Sequence, residues 1–254
     1  MRKIIINADD LGKSPNVNAA IAEALTKKVI TSSTILANTE CWREVHNIVD
    51  NNPDASFGVH LNLTEGQSLT KNSVLEQYDI TDAQGFFTGQ IKKVKEINKV
   101  LKDAIYDELS AQVNKIKNEE HILISHIDGH HHVHTLETIS SVIIKILRNY
   151  DINRMRNRYT WPIVFPHLGI KKRFKDLRWR MHFKNEDIVM TPYFCSYAKI
   201  IDNLKAGMVY PDNTVIELMC HPGHIKYIDE TELINSKEVE RYLNDVQYLN
   251  YRNL

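Results

Sequence analysis

Apolar positions along the chain fall into two rhythms, strand-like and helical. Lys3 to Asn7 is a β-branched run that reads as a buried strand. After Pro15, the residues Val17, Ala20, Ile21, Ala24 and Leu25 recur at helical spacing within Asn16 to Lys28. Thr34 to Leu36 and, after Pro53, Phe57 to Leu61 read as strands, with a short helix at Trp42 to Val49 between them. Asn62 to Gln90 is rich in Thr, Gly, Asp and Gln and reads as a long loop; such loops in compact domains are usually functional or disordered. Ile91 to Lys117 carries Ile91, Val94, Ile97, Leu101, Ile105, Leu109, Val113 and Ile116 at intervals of three and four, an amphipathic helix with room for one break. Ile122 to Ile127 is the next strand, Leu136 to Leu147 a helix and Arg154 to Arg156 a strand end. Residues 157–186 read as irregular, basic and aromatic. Ile188 to Thr191 reads as a strand, Ser196 to Leu204 as a helix, Thr214 to Met219 as a strand, Ser236 to Asn244 as a final helix and Gln247 to Asn250 as a last short strand. This alternation predicts an α/β fold of mostly parallel strands. Six to eight such units predict a (β/α) barrel, complete or distorted, as a single domain over residues 1–254.

Composition narrows the function classes. Lys+Arg and Asp+Glu are 32 each, so the formal charge is zero and gives no global attraction to nucleic acid or to an anionic membrane. The three cysteines, Cys41, Cys195 and Cys220, are odd in number and far apart, which argues against a disulfide framework and for a reducing cytoplasm. The apolar run Ile4-Ile5-Ile6 stops at Asn7, too short for an export signal, and no stretch approaches the ~20 apolar residues of a membrane span.

The polar clusters sit at the C-terminal ends of predicted strands, the edge that carries active sites in parallel α/β folds. Asp9-Asp10 follows the first strand, His60 ends the third, Asp128 and His130 follow another and His221 follows a late one. One carboxylate and two neutral imidazoles form a common facial set for a divalent metal that keeps positions open for water and substrate. Asp10, His60 and His130 supply such a set from three strands. Asp9, beside Asp10, can face the water as base, and His221 can approach from the other side as acid.

Each residue also has a plainer reading. An aspartate pair after a strand often caps a helix, and a lone histidine is more often a satisfied core residue. The tract His130-His131-His132-Val133-His134 is dense enough to indicate metal. Alternation along an extended segment would still let only two or three of its members reach one ion, leaving His131 and His132 to packing or to the surroundings. Cys220 reads as a small apolar strand residue rather than a nucleophile. Trp161, Trp179, Tyr193, Phe194 and Tyr197 can stack on a sugar ring, although most aromatics are core.

Ile6-Asn7-Ala8-Asp9-Asp10-Leu11-Gly12 resembles the opening motif of the YdjC-like carbohydrate deacetylases, which include the chitooligosaccharide deacetylases. Gly58 to Thr64, His126 to His134 and Glu217 to Gly223 agree with the family in order and spacing, and the ending Tyr251-Arg252-Asn253-Leu254 also resembles it. The resemblance implies a distorted (β/α) barrel and one divalent metal ion, with Asp10, His60 and His130 as ligands, Asp9 as general base and His221 as general acid. It implies magnesium, while two imidazoles suit zinc-like ions better, so either Mg2+ or Zn2+ is expected. The expected substrate is a small acetylated amino sugar or oligosaccharide, with Asp128, His132, Arg156 and Trp161 on the substrate side, and a homodimer is plausible. Leu11 stands where an aromatic is common and Gly129 where serine is common. Arg154-Met155-Arg156-Asn157-Arg158 lacks the proline that commonly follows, the next being Pro162. Two other readings compete: a metal phosphoesterase with Arg154, Arg156 and Arg158 as a phosphate clamp, and a non-catalytic sugar-binding protein that keeps a metal.

Overall fold

The computed structural model describes residues 2–158, 170–210, 212–243 and 245–254. Its strands are β1 (Arg2–Leu11), β2 (Ser32–Ile35), β3 (Ser56–Leu61), β4 (Ile124–Gly129), β5 (Tyr193–Ser196), β6 (Val215–Cys220) and β7 (Val246–Tyr248). The α-helices are α1 (Pro15–Thr26), α2 (Trp42–Asp50), α3 (Ser73–Gln77), α4 (Lys99–Asn114), α5 (Ser140–Asn149), α6 (Ile170–Lys184), α7 (Tyr197–Lys205) and α8 (Ile228–Asn235). All strand pairings are parallel, in the order β4-β3-β2-β1-β6-β5, with β7 added on β1. Beyond β4, isolated parallel bridges join Ile127 to Met155 and Arg154 to Val189. They carry the curved sheet onward as the irregular wall of a distorted (β/α) barrel.

Alternation along the strands separates two environments. Ile4, Ile6 and Ala8 of β1, Phe57, Val59 and Leu61 of β3, Ile127 of β4, and Ile216, Leu218 and Cys220 of β6 belong to the apolar core shared with the helices. Each isoleucine among them is at most 1% exposed and contributes roughly 1.5–3 kcal/mol by burial. The intervening residues lie on the inner face; beside Ile5 and Met219 they include Asn7, Asp9, Thr34, Gly58, His60, His126, Asp128 and Glu217. The barrel is therefore filled by a polar network rather than by the layers of branched aliphatics common in such barrels.

Several elements depart from the sequence expectation. The helix over 91–117 is broken once: Gln90–Lys93 forms a 3-10 turn, and α4 starts afresh at Asn98, whose side chain accepts a hydrogen bond from Leu101 N at 2.9 Å. Within the long loop, Glu108 of α4 accepts from Leu69 N and Thr70 N and binds the Thr70 hydroxyl, so the segment is tied down from below. The span read as irregular contains α6, whose basic composition hides its periodicity. The final helix lies at Ile228–Asn235 instead of Ser236 to Asn244, with only a 3-10 turn at Glu238–Arg241.

Candidate metal centre

The two aspartates at the end of β1 would point to opposite faces on a regular strand. Asp10 instead adopts a left-handed backbone conformation, φ 70°, and the pairing of β1 with β2 slips between Ala8 and Leu11. Aspartate tolerates this conformation better than most residues. The bulge turns both carboxylates toward His60. His60 Nε2 lies 3.3 Å from Asp10 Oδ1 and 4.0 Å from Asp9 Oδ2.

His130 arrives from a turn. His130–Thr135 forms a 3-10 segment in which His131 and His132 are both left-handed, so the histidines fan out instead of alternating. His130 Nδ1 reaches Asp10 Oδ1 at 2.8 Å. His131 leans on His130 and pairs its Nδ1 with the Thr64 hydroxyl at 2.9 Å. His132 packs edge-on against Phe194 and His134, and burial followed by the Arg156 charge pushes its pKa down to about 3.

Donor atoms of Asp10, His60 and His130 thus lie within 4.8 Å of one another, on residues no more than 5% exposed. Asp10 Oδ1 is buried, and the groups facing it are the two imidazole nitrogens, His130 Nδ1 at 2.8 Å and His60 Nε2 at 3.3 Å. One buried carboxylate oxygen facing two imidazole nitrogens fits a divalent cation of magnesium or zinc type. The outer ring nitrogens are held as metal-bound histidines require: His60 Nδ1 by Asp128 Oδ1 at 2.6 Å, and His130 Nε2 by Glu65 Oε2 at 2.8 Å. Burial opposes charge on His60, but Asp128, Asp10 and Asp9 outweigh it and raise its pKa to about 10. The pocket therefore calls for positive charge at this point.

Arg156 lies beneath the cluster, 0% exposed. Its Nη1 and Nη2 donate to Asp9 Oδ2 and Oδ1 at 2.7 and 2.6 Å, Nη1 also meets Asp128 Oδ2 at 2.7 Å, and Nε donates to Glu217 Oε1 at 2.6 Å. Asn7 Nδ2 adds a bond to Asp9 Oδ1 at 2.9 Å. Burial raises the Asp9 carboxyl, yet the Arg156 charge and hydrogen bonds overcome this and keep it well below the usual carboxylate range. Asp128 and Arg156, expected on the substrate side, are both 0% exposed and bound to each other, with Arg156 also holding Asp9 and Glu217.

His221 follows β6. Its Nε2 is 3.9 Å from Asp9 Oδ2. Glu230 of α8 accepts from His221 N at 2.8 Å and lies 3.4 Å from Nδ1, while Tyr227 stacks on the ring at 4.7 Å. Burial disfavours the imidazolium, but the Glu230 interaction and the Asp9 charge prevail and raise its pKa. A cleft of about 360 Å³ opens beside the cluster, lined among others by Lys13, Asn38, Asn62, Glu65 and His130. Trp161 lies outside the described residues. Sequence reasoning missed Glu65, Glu217 and Glu230. Glu217 had left a trace, as a charged residue inside the otherwise apolar strand Val215–Cys220.

The YdjC-like family model matches residues 3–249. This chain belongs to the YdjC-like family. Relatives in it include the carbohydrate deacetylase of Brevibacillus brevis, 28% identical over 254 residues, which covers 97% of this chain and 90% of the relative. Carbohydrate deacetylase 1 of Listeria innocua is 30% identical, over 99% of this chain and 93% of its own. The carbohydrate deacetylase of Vibrio cholerae serotype O1 is 31% identical over 88% of this chain and 79% of its own. Among solved structures, a candidate cellobiose-phosphate cleavage protein from Enterococcus faecalis V583 superposes with a TM-score of 0.77 at 24% identity, over 99% of this chain and 98% of that one. That likeness shows that the two chains share a fold. No helix among the described residues is long and apolar enough to cross a membrane.

Proposed function

We propose that this chain is a divalent-metal-dependent carbohydrate deacetylase that hydrolyses the acetamide of N-acetylated amino sugars or chitooligosaccharides. The observation that carries the reading is the convergence of Asp10, His60 and His130 next to an arginine-held Asp9 and a glutamate-held His221. A divalent ion bound by Asp10, His60 and His130 would polarise the acetamide carbonyl and lower the pKa of water. Asp9, fixed by Arg156 and ionised, takes the proton of the attacking water. His221, with its raised pKa, delivers a proton to the departing nitrogen, without which an amine leaves poorly. The cleft beside His130 is the place for the sugar.

The phosphoesterase reading loses its clamp. Arg156 is consumed by carboxylates, Arg158 binds Thr135 O and Glu137 and lies over Trp179, and Arg154 binds Asn153 Oδ1. A pure sugar-binding role leaves the paired Asp9 and His221 without purpose.

The test is acetate release from N,N′-diacetylchitobiose by protein loaded with magnesium or zinc, with His130→Ala as control. Acetate from the wild type, lost with bound metal in His130→Ala, is the expected result. Metal bound without acetate from this or other acetylated amino sugars would sink the reading.

A further inference from the structure

Tyr251, in the turn after β7, is 0% exposed and lies inside the barrel. Its ring stacks on His126 at 3.6 Å and 6°. Its backbone N donates to Ser56 Oγ at 3.0 Å. The neighbours Asn250 and Arg252 donate to the carbonyls of Asp54, Pro53 and Ala55. A ring pinned so firmly presents its hydroxyl at a fixed point, and that hydroxyl donates to Glu217 Oε2. The other oxygen of Glu217 accepts from Arg156 Nε, and the far end of the same guanidinium grips both oxygens of Asp9.

A guanidinium is planar, so fixing Nε fixes the direction of both Nη groups. Glu217 therefore sets the plane in which Asp9 is held, and Tyr251 sets Glu217. Burial raises the Glu217 carboxyl to about 7 even against the opposing pull of Arg156 and the Tyr251 hydroxyl. Without the hydroxyl, Glu217 Oε2 loses its donor and the carboxylate loses one of the two contacts that fix its orientation against Arg156. The arrangement also accounts for Gly58, where a Cβ would come within 2.6 Å of the His126 ring.

We propose that Tyr251 is a positioning residue for Asp9, acting through Glu217 and Arg156. The inference rests on Asp9 being the base of the proposed reaction. The test is a four-member cycle of metal-loaded full chains: wild type, Tyr251→Phe, Asp9→Asn and the double variant, each assayed on N,N′-diacetylchitobiose with melting temperature recorded. Phenylalanine keeps the stack on His126 and removes only the hydroxyl. Tyr251→Phe is expected to lower kcat on the order of ten-fold with KM little changed. It should add nothing to the loss already present in Asp9→Asn, because its effect passes through that carboxylate. An unchanged kcat, or an equal further loss in the Asp9→Asn background, would overturn the proposal and assign Tyr251 to stability alone. A wild-type rate in Asp9→Asn is a different outcome; it removes the base itself and the proposal with it. If Tyr251→Phe does not fold, Glu217→Gln takes its place in the same cycle, with the same results deciding.

Discussion

Asp10 shows how much chemistry one backbone angle decides. Its left-handed conformation brings two sequence neighbours to one point, whereas strand alternation would have parted them. The residue types at the centre were legible in the sequence, because carboxylates and imidazoles gathered at four strand ends are the donor types of a divalent-cation site. The groups that hold them were not. Glu65 and Tyr251 act through contacts between segments remote in sequence, Glu230 reaches back nine residues to His221 from a separate helix, and no local spacing announces such contacts. Asp128 was read as a substrate residue, while its carboxylate is shared between His60 Nδ1, Thr34 Oγ1 and Arg156 Nη1. In Asp128→Asn, an amide turned to accept from His60 would face its NH2 toward the Arg156 donors. The expected result is metal affinity about 10–100-fold weaker by titration calorimetry. Unchanged affinity would show that the ring orientation of His60 does not depend on Asp128.

At the scale of the element, most strands were read well, although Ile188 to Thr191 makes only an isolated bridge and β5, at Tyr193–Ser196, was missed; α8 was read poorly for a physical reason. Periodicity reports apolar burial, and α8 buries only Glu230 and Ile234 along its length. Its purpose is to carry a carboxylate to His221, which leaves no hydrophobic stripe to detect. The same feature gives a pH prediction. The Glu230 interaction raises the pKa of His221, and His221 as acid works only while protonated, so activity falls as pH climbs through that pKa. Glu230→Gln keeps an acceptor for the backbone N–H of His221 but removes the charge. The alkaline limb of the kcat profile should therefore move to lower pH. An unmoved limb, or a shift to higher pH, would take His221 out of the acid role. The turn at His130–Thr135 was likewise hidden from the sequence, since consecutive left-handed histidines have no local signature.

For the molecule as a whole, the parallel architecture followed from alternating rhythms, but the polar filling of the barrel did not. Each inward residue reads alone as a stray polar position in an apolar strand, and only the closed sheet assembles them. The ligand candidates come from β1, β3 and the turn after β4, so a bound ion ties three parts of the barrel together. A metal that binds only the folded chain adds about 2.7 kcal/mol at a hundred-fold excess over its Kd. Chelation should then lower the melting temperature by several degrees, at roughly 2–4 °C per kcal/mol for a chain of this size. A melting temperature indifferent to every divalent ion would argue against the centre. The strand order has a consequence for folding. β1 stands in the middle of the sheet and pairs with β6 and β7, strands more than 200 residues away in sequence. Asp9 and His221 come from those distant strands, and pairings of such wide separation form slowly. The proposed base and acid therefore meet only when the long-range pairing of β1 with β6 forms, so assembly of the reactive pair depends on a slow-forming contact.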